Sequence, residues 1–294
     1  MTLTTENTAT HFSLLTLSGK DGRRFLQGQL SCDMDKLHEG MMMRGALCNL
    51  KGRVAASMWI WLQDDVIYLR SGSGMGEIIA NTLNKYMVFF DCELTDVSEQ
   101  YQLWQTAAAG PYASDQPDTE QSRAINTVQV DGANAAVCLD QTSEFGRRYE
   151  LFVRKQSDAS TLLSALPDTL RPLSATDWAI ASTELGWVMI HPAISEKYTP
   201  QLLNYDLDGT VNFKKGCYTG QEVIARMYYR AEAKQRLYRL KRPLDSSASD
   251  FGITKEDNIV FSVTSNEKQV IELVIAPTDD SRRHSDIETI TMDA

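Results

Sequence analysis

The chain has 294 residues, which is more than one small domain usually needs, so we expect two or three structural units. Hydrophobic residues at 43% and charged residues at 23% are typical of a folded globular protein and argue against a disordered chain. The formal charge of −10 disfavours sequence-independent binding to nucleic acid or to anionic lipid, because both are polyanions.

The amino terminus and the cysteines bear on location and metal binding. Residues 1–12, MTLTTENTATHF, are polar and lack the basic and apolar regions of a secretory signal. The longest apolar stretch, around 54–62, is too short to span a bilayer. The cysteines are widely spaced without a CxxC pair, which indicates free thiols rather than a zinc site or a redox dithiol. We therefore expect a cytoplasmic protein with no metal site and no membrane partner.

The first part of the chain has the alternating pattern of a β-meander. A helix is predicted after the first strand, with Phe25, Leu26 and Leu30 near one face, and a second helix at 76–88. The glycine-rich SGSGMG at 71–76 matches neither a dinucleotide fingerprint nor a P-loop, so it is interpreted as a strand-to-helix connection. Strands are predicted at 12–17, 44–50, 53–62, 66–70 and 92–108.

The second part begins with a polar segment, 110–124, that is predicted to be a loop. Strands are then predicted at 125–130, 134–139 and 148–154, and helices at 157–165, 174–186 and 220–230. Ser174 with Asp177 suits the start of the second of these helices and Gly186 its end, while Thr219 and Glu222 suggest a capping box for the last. Alternating segments after residue 234 predict a small C-terminal β-barrel.

The segment FKKGCYTGQEVIARMYYR at 213–230 is the best candidate for chemistry. Cys217 precedes a predicted helix amino terminus, and Lys214 and Lys215 add positive charge nearby, both of which favour a thiolate. We therefore predict Cys217 as the functional thiol, with Lys215 as its cationic neighbour. The residues alone support equally well an ordinary small buried cysteine at a helix cap.

Within this segment, KGCYTGQE resembles the signature of the YgfZ family of folate-binding proteins, which are related to the T-protein aminomethyltransferase of the glycine cleavage system. The matching residues are Lys215, Gly216, Cys217, Tyr218, Gly220, Gln221 and Glu222, followed by Arg226. Three further segments resemble the same family: FLQGQLSCD at 25–33, GALCNLKGRV at 45–54 and LNKYMVF at 83–89.

The resemblance implies an α+β, tripartite T-protein-like fold with a folate pocket at its centre. Residues 1–233 would form the folate-binding region, as two interleaved α+β subdomains of which the middle one is ferredoxin-like, and 234–294 the C-terminal barrel. It also implies an accessory role in the synthesis or repair of iron–sulfur enzymes, through a reactive cysteine, Cys217, at the folate pocket. The implied cofactor is tetrahydrofolate or a folate derivative, and the implied partners are iron–sulfur proteins or their assembly machinery. Family members support a tRNA-modifying enzyme, but the acidic charge makes direct tRNA binding doubtful.

The resemblance also assigns three folate contacts: Phe12 in the first strand, and Trp178 and Glu184 in the helix that ends in Glu-x-Gly. Flat rings suit the faces of a pterin, and a carboxylate suits its N–H donors. On the residues alone, Phe12 and Trp178 fit a hydrophobic core equally well, and Glu184 fits a solvated surface position.

One departure bears on activity. Aminomethyltransferases carry an aspartate pair just after the Lys-Gly segment, whereas residues 54–58 read VAASM and contain no carboxylate. Proton management at a folate amine requires an acid or base at that place, so glycine cleavage activity is not expected. A folate-dependent one-carbon transferase, for aminomethyl or methyl groups, remains the alternative, with the Cys217 thiol as nucleophile.

Overall fold

The computed structural model describes residues 8–9, 12–108, 126–142, 144–230, 232–265 and 268–290, so the predicted loop at 110–124 lies outside the described residues. The α-helices α1 to α5 span Gly22–Gln27, Gly76–Met87, Ser160–Ser164, Ala175–Leu185 and Gln221–Arg230. The strands β1 to β15 span Thr8–Ala9, Ser13–Ser18, Met42–Cys48, Val54–Gln63, Val66–Ser71, Glu93–Asp96, Tyr101–Ala108, Thr127–Asp131, Asn134–Thr142, Gly146–Arg154, Leu170–Pro172, Gln235–Pro243, Ile259–Thr264, Gln269–Pro277 and Ile287–Glu288.

The strands form three antiparallel sheets, which we call sheets I, II and III. Sheet I has the order β3-β4-β5-β2-β6, and its meander β3-β4-β5 follows the sequence prediction. Sheet II has the order β1-β7-β10-β9-β8, with β11 also paired to β7. The chain visits sheet II at β1 before it builds sheet I, so these two regions are interleaved in sequence. The ferredoxin-like description and the boundary at residue 233 remain predictions.

Sheet III contains the C-terminal strands in the order β13-β14-β12-β15. The predicted barrel is not confirmed, because the described strands form an open sheet. A barrel closes only when its two edge strands pair. Here β13 pairs with β14 and the two-residue β15 pairs with β12, so the edges lie at opposite sides of the sheet.

One hydrophobic core runs through all three sheets. It includes Leu15 and Ile60 from sheet I, Leu103 from sheet II, and Leu237 and Leu273 from sheet III. A continuous core fixes the sheets relative to one another, because separating them would expose apolar surface to water. None of the described helices is long and apolar enough to cross a membrane.

A buried ion pair joins sheets I and II. The guanidinium of Arg70 on β5 donates to both carboxylate oxygens of Glu150 on β10, at 2.8 Å from Nε and 2.7 Å from Nη2. Gln105 Nε2 on β7 donates to the same carboxylate at 3.0 Å. Both side chains of the ion pair are nearly inaccessible to solvent, so each charge compensates the other for the hydration that it loses on burial.

Glu150→Leu should therefore lower the free energy of unfolding by roughly 3–5 kcal/mol, because it leaves the Arg70 charge buried and unpaired. The double variant Arg70→Met/Glu150→Leu should recover much of this loss. Urea denaturation measures both values. Glu99→Leu is the control, since the Glu99–Lys155 pair spans 3.9 Å and is exposed, and it should change stability by less than about 1 kcal/mol. Equal effects of Glu150→Leu and Glu99→Leu would contradict the account.

Candidate functional site

A cavity of about 260 Å³ lies where the three sheets meet. Sheet I contributes Trp59 and Arg70, sheet II contributes Gln105, and sheet III contributes Phe261. The other lining residues belong to the turn after β5, to α4, to the segment after α4, and to strands of sheet III: Gly72, Ser73, Trp178, Ala179, Ser182, Trp187, Val188, Met189, His191, Ile194, Val260 and Leu273. Aromatic walls with a few polar groups are typical of a site for a flat organic ligand.

Helix α4 places Trp178 in the wall of this cavity. As predicted, Ser174 caps the helix by accepting a hydrogen bond from Asp177 N, and Gly186 ends it in the left-handed region at φ +65°. The Arg148 guanidinium stacks over the Trp178 ring at 4.5 Å and donates to the Trp178 carbonyl oxygen. Asp140 holds Arg148 through two hydrogen bonds of 2.7 Å. The position of Trp178 is therefore fixed from sheet II as well as by its own helix.

The cavity is bordered by hydrogen-bond donors that lack partners. The indole N–H groups of Trp59 and Trp187 are buried and have no hydrogen-bond partner among the described residues. Buried indoles usually find an acceptor, and an unpaired buried donor costs roughly 1–3 kcal/mol. His191 also lines the cavity, and its pKa is lowered by burial and by Lys197, which favours the neutral ring. The wall thus combines aromatic surface with a neutral imidazole.

Of the three predicted folate contacts, Trp178 lines this cavity, and Phe12 and Glu184 do not. Phe12 packs edge-on against Phe152 of sheet II, with ring centroids 6.0 Å apart. Glu184 is half-buried on α4 and follows the cavity-lining Ser182 by two positions, a rotation of about 200° around the helix. These two residues therefore stay predictions that the cavity itself does not support.

The predicted signature residue Lys215 is buried within a set of backbone oxygens. Its ammonium donates to the carbonyl oxygens of Gln27, Leu30 and Cys32 at 2.7, 2.8 and 2.6 Å. Burial lowers the pKa of the ammonium, and the nearby Cys32 and Asp33 oppose that effect. Because all three N–H groups of the ammonium donate to carbonyl oxygens in and after the last turn of α1, these contacts indicate a structural role for Lys215. It connects the signature to that part of the chain.

Gly220 brings the signature against the turn after β3. It adopts φ +83°, and a Cβ there would overlap the Asn49 carbonyl oxygen. Asn49 Oδ1 accepts from the backbone N–H groups of Lys51 and Arg53, and Gly52 packs under Val223 of α5. The segments at 25–33, 45–54 and 215–222, which are far apart in sequence, therefore meet in one place.

Cys217 is exposed, which excludes the ordinary buried cysteine that the sequence left open. It does not line the central cavity. Helix α5 begins at Gln221, so Tyr218, Thr219 and Gly220 separate Cys217 from its first residue. The predicted capping box is shifted by one residue, because α5 begins at Gln221 and Gly220 rather than Thr219 directly precedes it. Thr219 Oγ1 donates to Gln29 Oε1 at 3.3 Å.

The rest of the signature divides into a buried and an exposed side. Tyr218 and Ile224 are buried, whereas Glu222 and Arg226 are exposed and Gln221 is half-buried. All five cysteines are free. Among the described residues, no group of three His, Cys, Asp or Glu side chains is placed to hold a metal ion.

Sequence reasoning missed most of the cavity. Trp59 and Arg70 occur in strands whose alternation indicated only core, and Trp187 follows the glycine that ends α4. Arginine in an otherwise apolar strand was a usable signal, since a buried arginine requires a carboxylate partner from elsewhere. Nothing in the sequence indicated that this partner is Glu150.

The packing of the signature gives a paired test. Gly220→Ala should destabilise the fold by at least roughly 1–3 kcal/mol, because alanine is strained at this φ and its methyl group meets the Asn49 carbonyl. Gly216→Ala should be close to neutral, since its Cβ meets no described atom within 4 Å. Thermal or urea unfolding of both variants measures the difference. Equal stability of the two would show that Gly220 is not under this constraint.

Comparison with known proteins gives relatives along most of the chain. A Blochmanniella pennsylvanica protein named tRNA-modifying protein YgfZ is 28% identical over 235 residues, which cover 80% of this chain and 70% of that protein. An Escherichia coli O45:K1 protein of the same name is 26% identical over 282 residues, which cover 91% and 84%. No protein-family model matches the chain.

A solved structure shares the fold. The glycine cleavage system aminomethyltransferase T of Bartonella henselae superposes with a TM-score of 0.67 at 13% sequence identity, over 92% of this chain and 77% of that one. At this identity the likeness concerns the fold alone. The chain is thus a relative of the proteins named tRNA-modifying protein YgfZ, and it has the aminomethyltransferase fold.

Proposed function

We propose that the protein is a cytoplasmic, folate-binding accessory factor that supports iron–sulfur enzymes, including tRNA-modifying ones, with Cys217 as its functional thiol. The observation that carries the proposal is the aromatic cavity at the junction of three sheets, in a chain with the aminomethyltransferase fold. The names of its relatives support a connection with tRNA modification.

The cavity fits part of a folate. Its volume of about 260 Å³ lies just below the range of roughly 300–1,000 Å³ that holds a drug-sized ligand, so it suits the bicyclic ring rather than the whole molecule. Trp178 offers a ring for stacking, and Trp59 and Trp187 add further aromatic surface to the wall. A bound tetrahydrofolate would supply a carrier of one-carbon groups.

The residues around the cavity would bind and orient a ligand, and no described carboxylate lines the cavity to serve as an acid for proton transfer. Glu150 is fully engaged by Arg70 and Gln105, and the low pKa of His191 favours its neutral form. Together with the carboxylate-free stretch 54–58, this supports an accessory role over aminomethyl transfer. The thiol of Cys217 would act on a partner at the surface, since it is exposed outside the cavity.

Titration calorimetry with tetrahydrofolate under anaerobic conditions tests the cavity. Wild type should bind, and Ala179→Leu should bind at least about tenfold more weakly because the added side chain fills the cavity from α4. Ala175→Leu is the matched control, since Ala175 lies on the same helix, is exposed and does not line the cavity.

Trp178→Ala should weaken binding as well, with circular dichroism confirming that the variant is folded. Glu184→Ala should leave binding unchanged if the ring occupies this cavity. Loss of binding in Glu184→Ala together with normal binding in Ala179→Leu would indicate that folate binds on the other face of α4. Absence of binding to the wild type would overturn the folate part of the proposal.

A further inference from the structure

A second groove lies on the surface beside the signature. Its lining combines all four segments that resemble the YgfZ family: Gln29 from 25–33, the turn at 47–53, Lys85 and Tyr86 from α2, and Thr219 from the signature. Glu196, Lys197 and Thr82 complete the wall. The central cavity shares no lining residue with this groove, so we treat it as a separate feature and call it the basic groove.

The basic groove is positively charged on a strongly acidic protein. Four cationic side chains line the groove, and only one carboxylate, that of Glu196, does so. The cations are Lys51, Arg53, Lys85 and Lys197. The whole chain, by contrast, has a net charge of −10. Lys51 and Lys85 form no ion pair with any other described residue, and Lys197 forms only an exposed pair with Asp257 at 3.5 Å. These cations are therefore available to an external anion.

Large exposed apolar side chains occur in the groove wall and in the segment that directly follows it in the chain. Leu50, in the turn that forms one wall, is 77% exposed. Val88 and Phe89 come directly after α2, whose Lys85 and Tyr86 line the groove, and they are 76% and 85% exposed. Tyr86 in the wall is 41% exposed. Such residues gathered beside a charged groove are typical of a protein interaction surface rather than of a site for a small anion.

The groove adjoins the functional thiol in sequence. Thr219 lines the groove, and only Tyr218 separates it from the exposed Cys217. On either side of the thiol, Lys215 and Gly220 contact the neighbouring turns, through hydrogen bonds and a close backbone approach respectively. A partner seated in the groove would thus come to lie near Cys217.

We propose that the basic groove docks an acidic segment of a partner protein, with carboxylates on Lys51, Arg53 and Lys85 and with apolar side chains on Leu50 and Phe89. This inference rests on one part of the proposed function, namely that the protein acts on a partner protein. It does not depend on folate binding. A protein is favoured over RNA because the net charge of −10 repels a polyanionic backbone at long range, whereas exposed leucine and phenylalanine suit a protein surface.

Fluorescence anisotropy with labelled synthetic peptides tests the docking. One peptide carries glutamates interspersed with leucine and phenylalanine, a second replaces the glutamates by lysines, and a third replaces the apolar residues by serines. The wild-type protein should bind the first, and bind each of the others at least about tenfold more weakly. Binding of the first peptide should also weaken as salt is raised, since exposed charges are screened.

Charge-reversed and apolar-to-polar variants locate the site. Lys51→Glu/Lys85→Glu and Leu50→Ser/Phe89→Ser should each weaken binding of the acidic peptide at least about tenfold. Lys241→Glu/Lys255→Glu is the control, because both lysines are exposed outside the groove, and it should bind as the wild type does. All three double variants should bind tetrahydrofolate as the wild type does, which separates failure of the docking proposal from failure of the folate proposal.

Three results would overturn the docking proposal. The first is that the wild type does not bind the acidic apolar peptide. The second is that the groove variants bind it as tightly as the wild type. The third is that a single-stranded oligonucleotide of matched charge binds more tightly than the peptide, and that the groove variants lose this binding. That result would assign the groove to nucleic acid.

Discussion

The buried pair of Arg70 and Glu150 is the interaction on which the central cavity depends. It joins sheet I to sheet II, and Arg70 itself forms part of the cavity wall while its guanidinium lies 4.9 Å from the Trp59 ring centroid. A charge pair in this position is expensive to desolvate, so it is maintained only where its geometry is satisfied on both sides. The pair thereby ties the two sheets together beside the cavity.

The structure separates two features that the sequence suggested would lie together. The aromatic cavity is built by residues from three sheets, while Cys217 lies on the surface between buried Lys215 and the constrained Gly220. A thiol outside the cavity is suited to meet another protein rather than a bound cofactor. This favours the proposal that the protein binds its ligand in the cavity and contacts its partner through the thiol at a separate place on the surface.

The sequence predicted the local features well and the long-range ones poorly. Ser174 and Gly186 were identified because caps and helix ends depend on neighbouring residues, and the meander of sheet I followed from alternation. The C-terminal barrel was not confirmed, because alternation indicates strands but not whether their edges pair. Lys215 was predicted to assist the thiol, and its contacts with three carbonyl oxygens depend on a turn nearly two hundred residues earlier in the chain.

The most direct test of the functional account is the activity of iron–sulfur enzymes in bacterial cells that lack the endogenous homologue and express this protein or its variants. Wild type should restore the activity, Cys217→Ser should fail to restore it, and Cys92→Ser should restore it, because Cys92 lies outside both the signature and the cavity. Immunoblotting would confirm equal amounts of each protein. Full restoration by Cys217→Ser would contradict the assignment of Cys217 as the functional thiol.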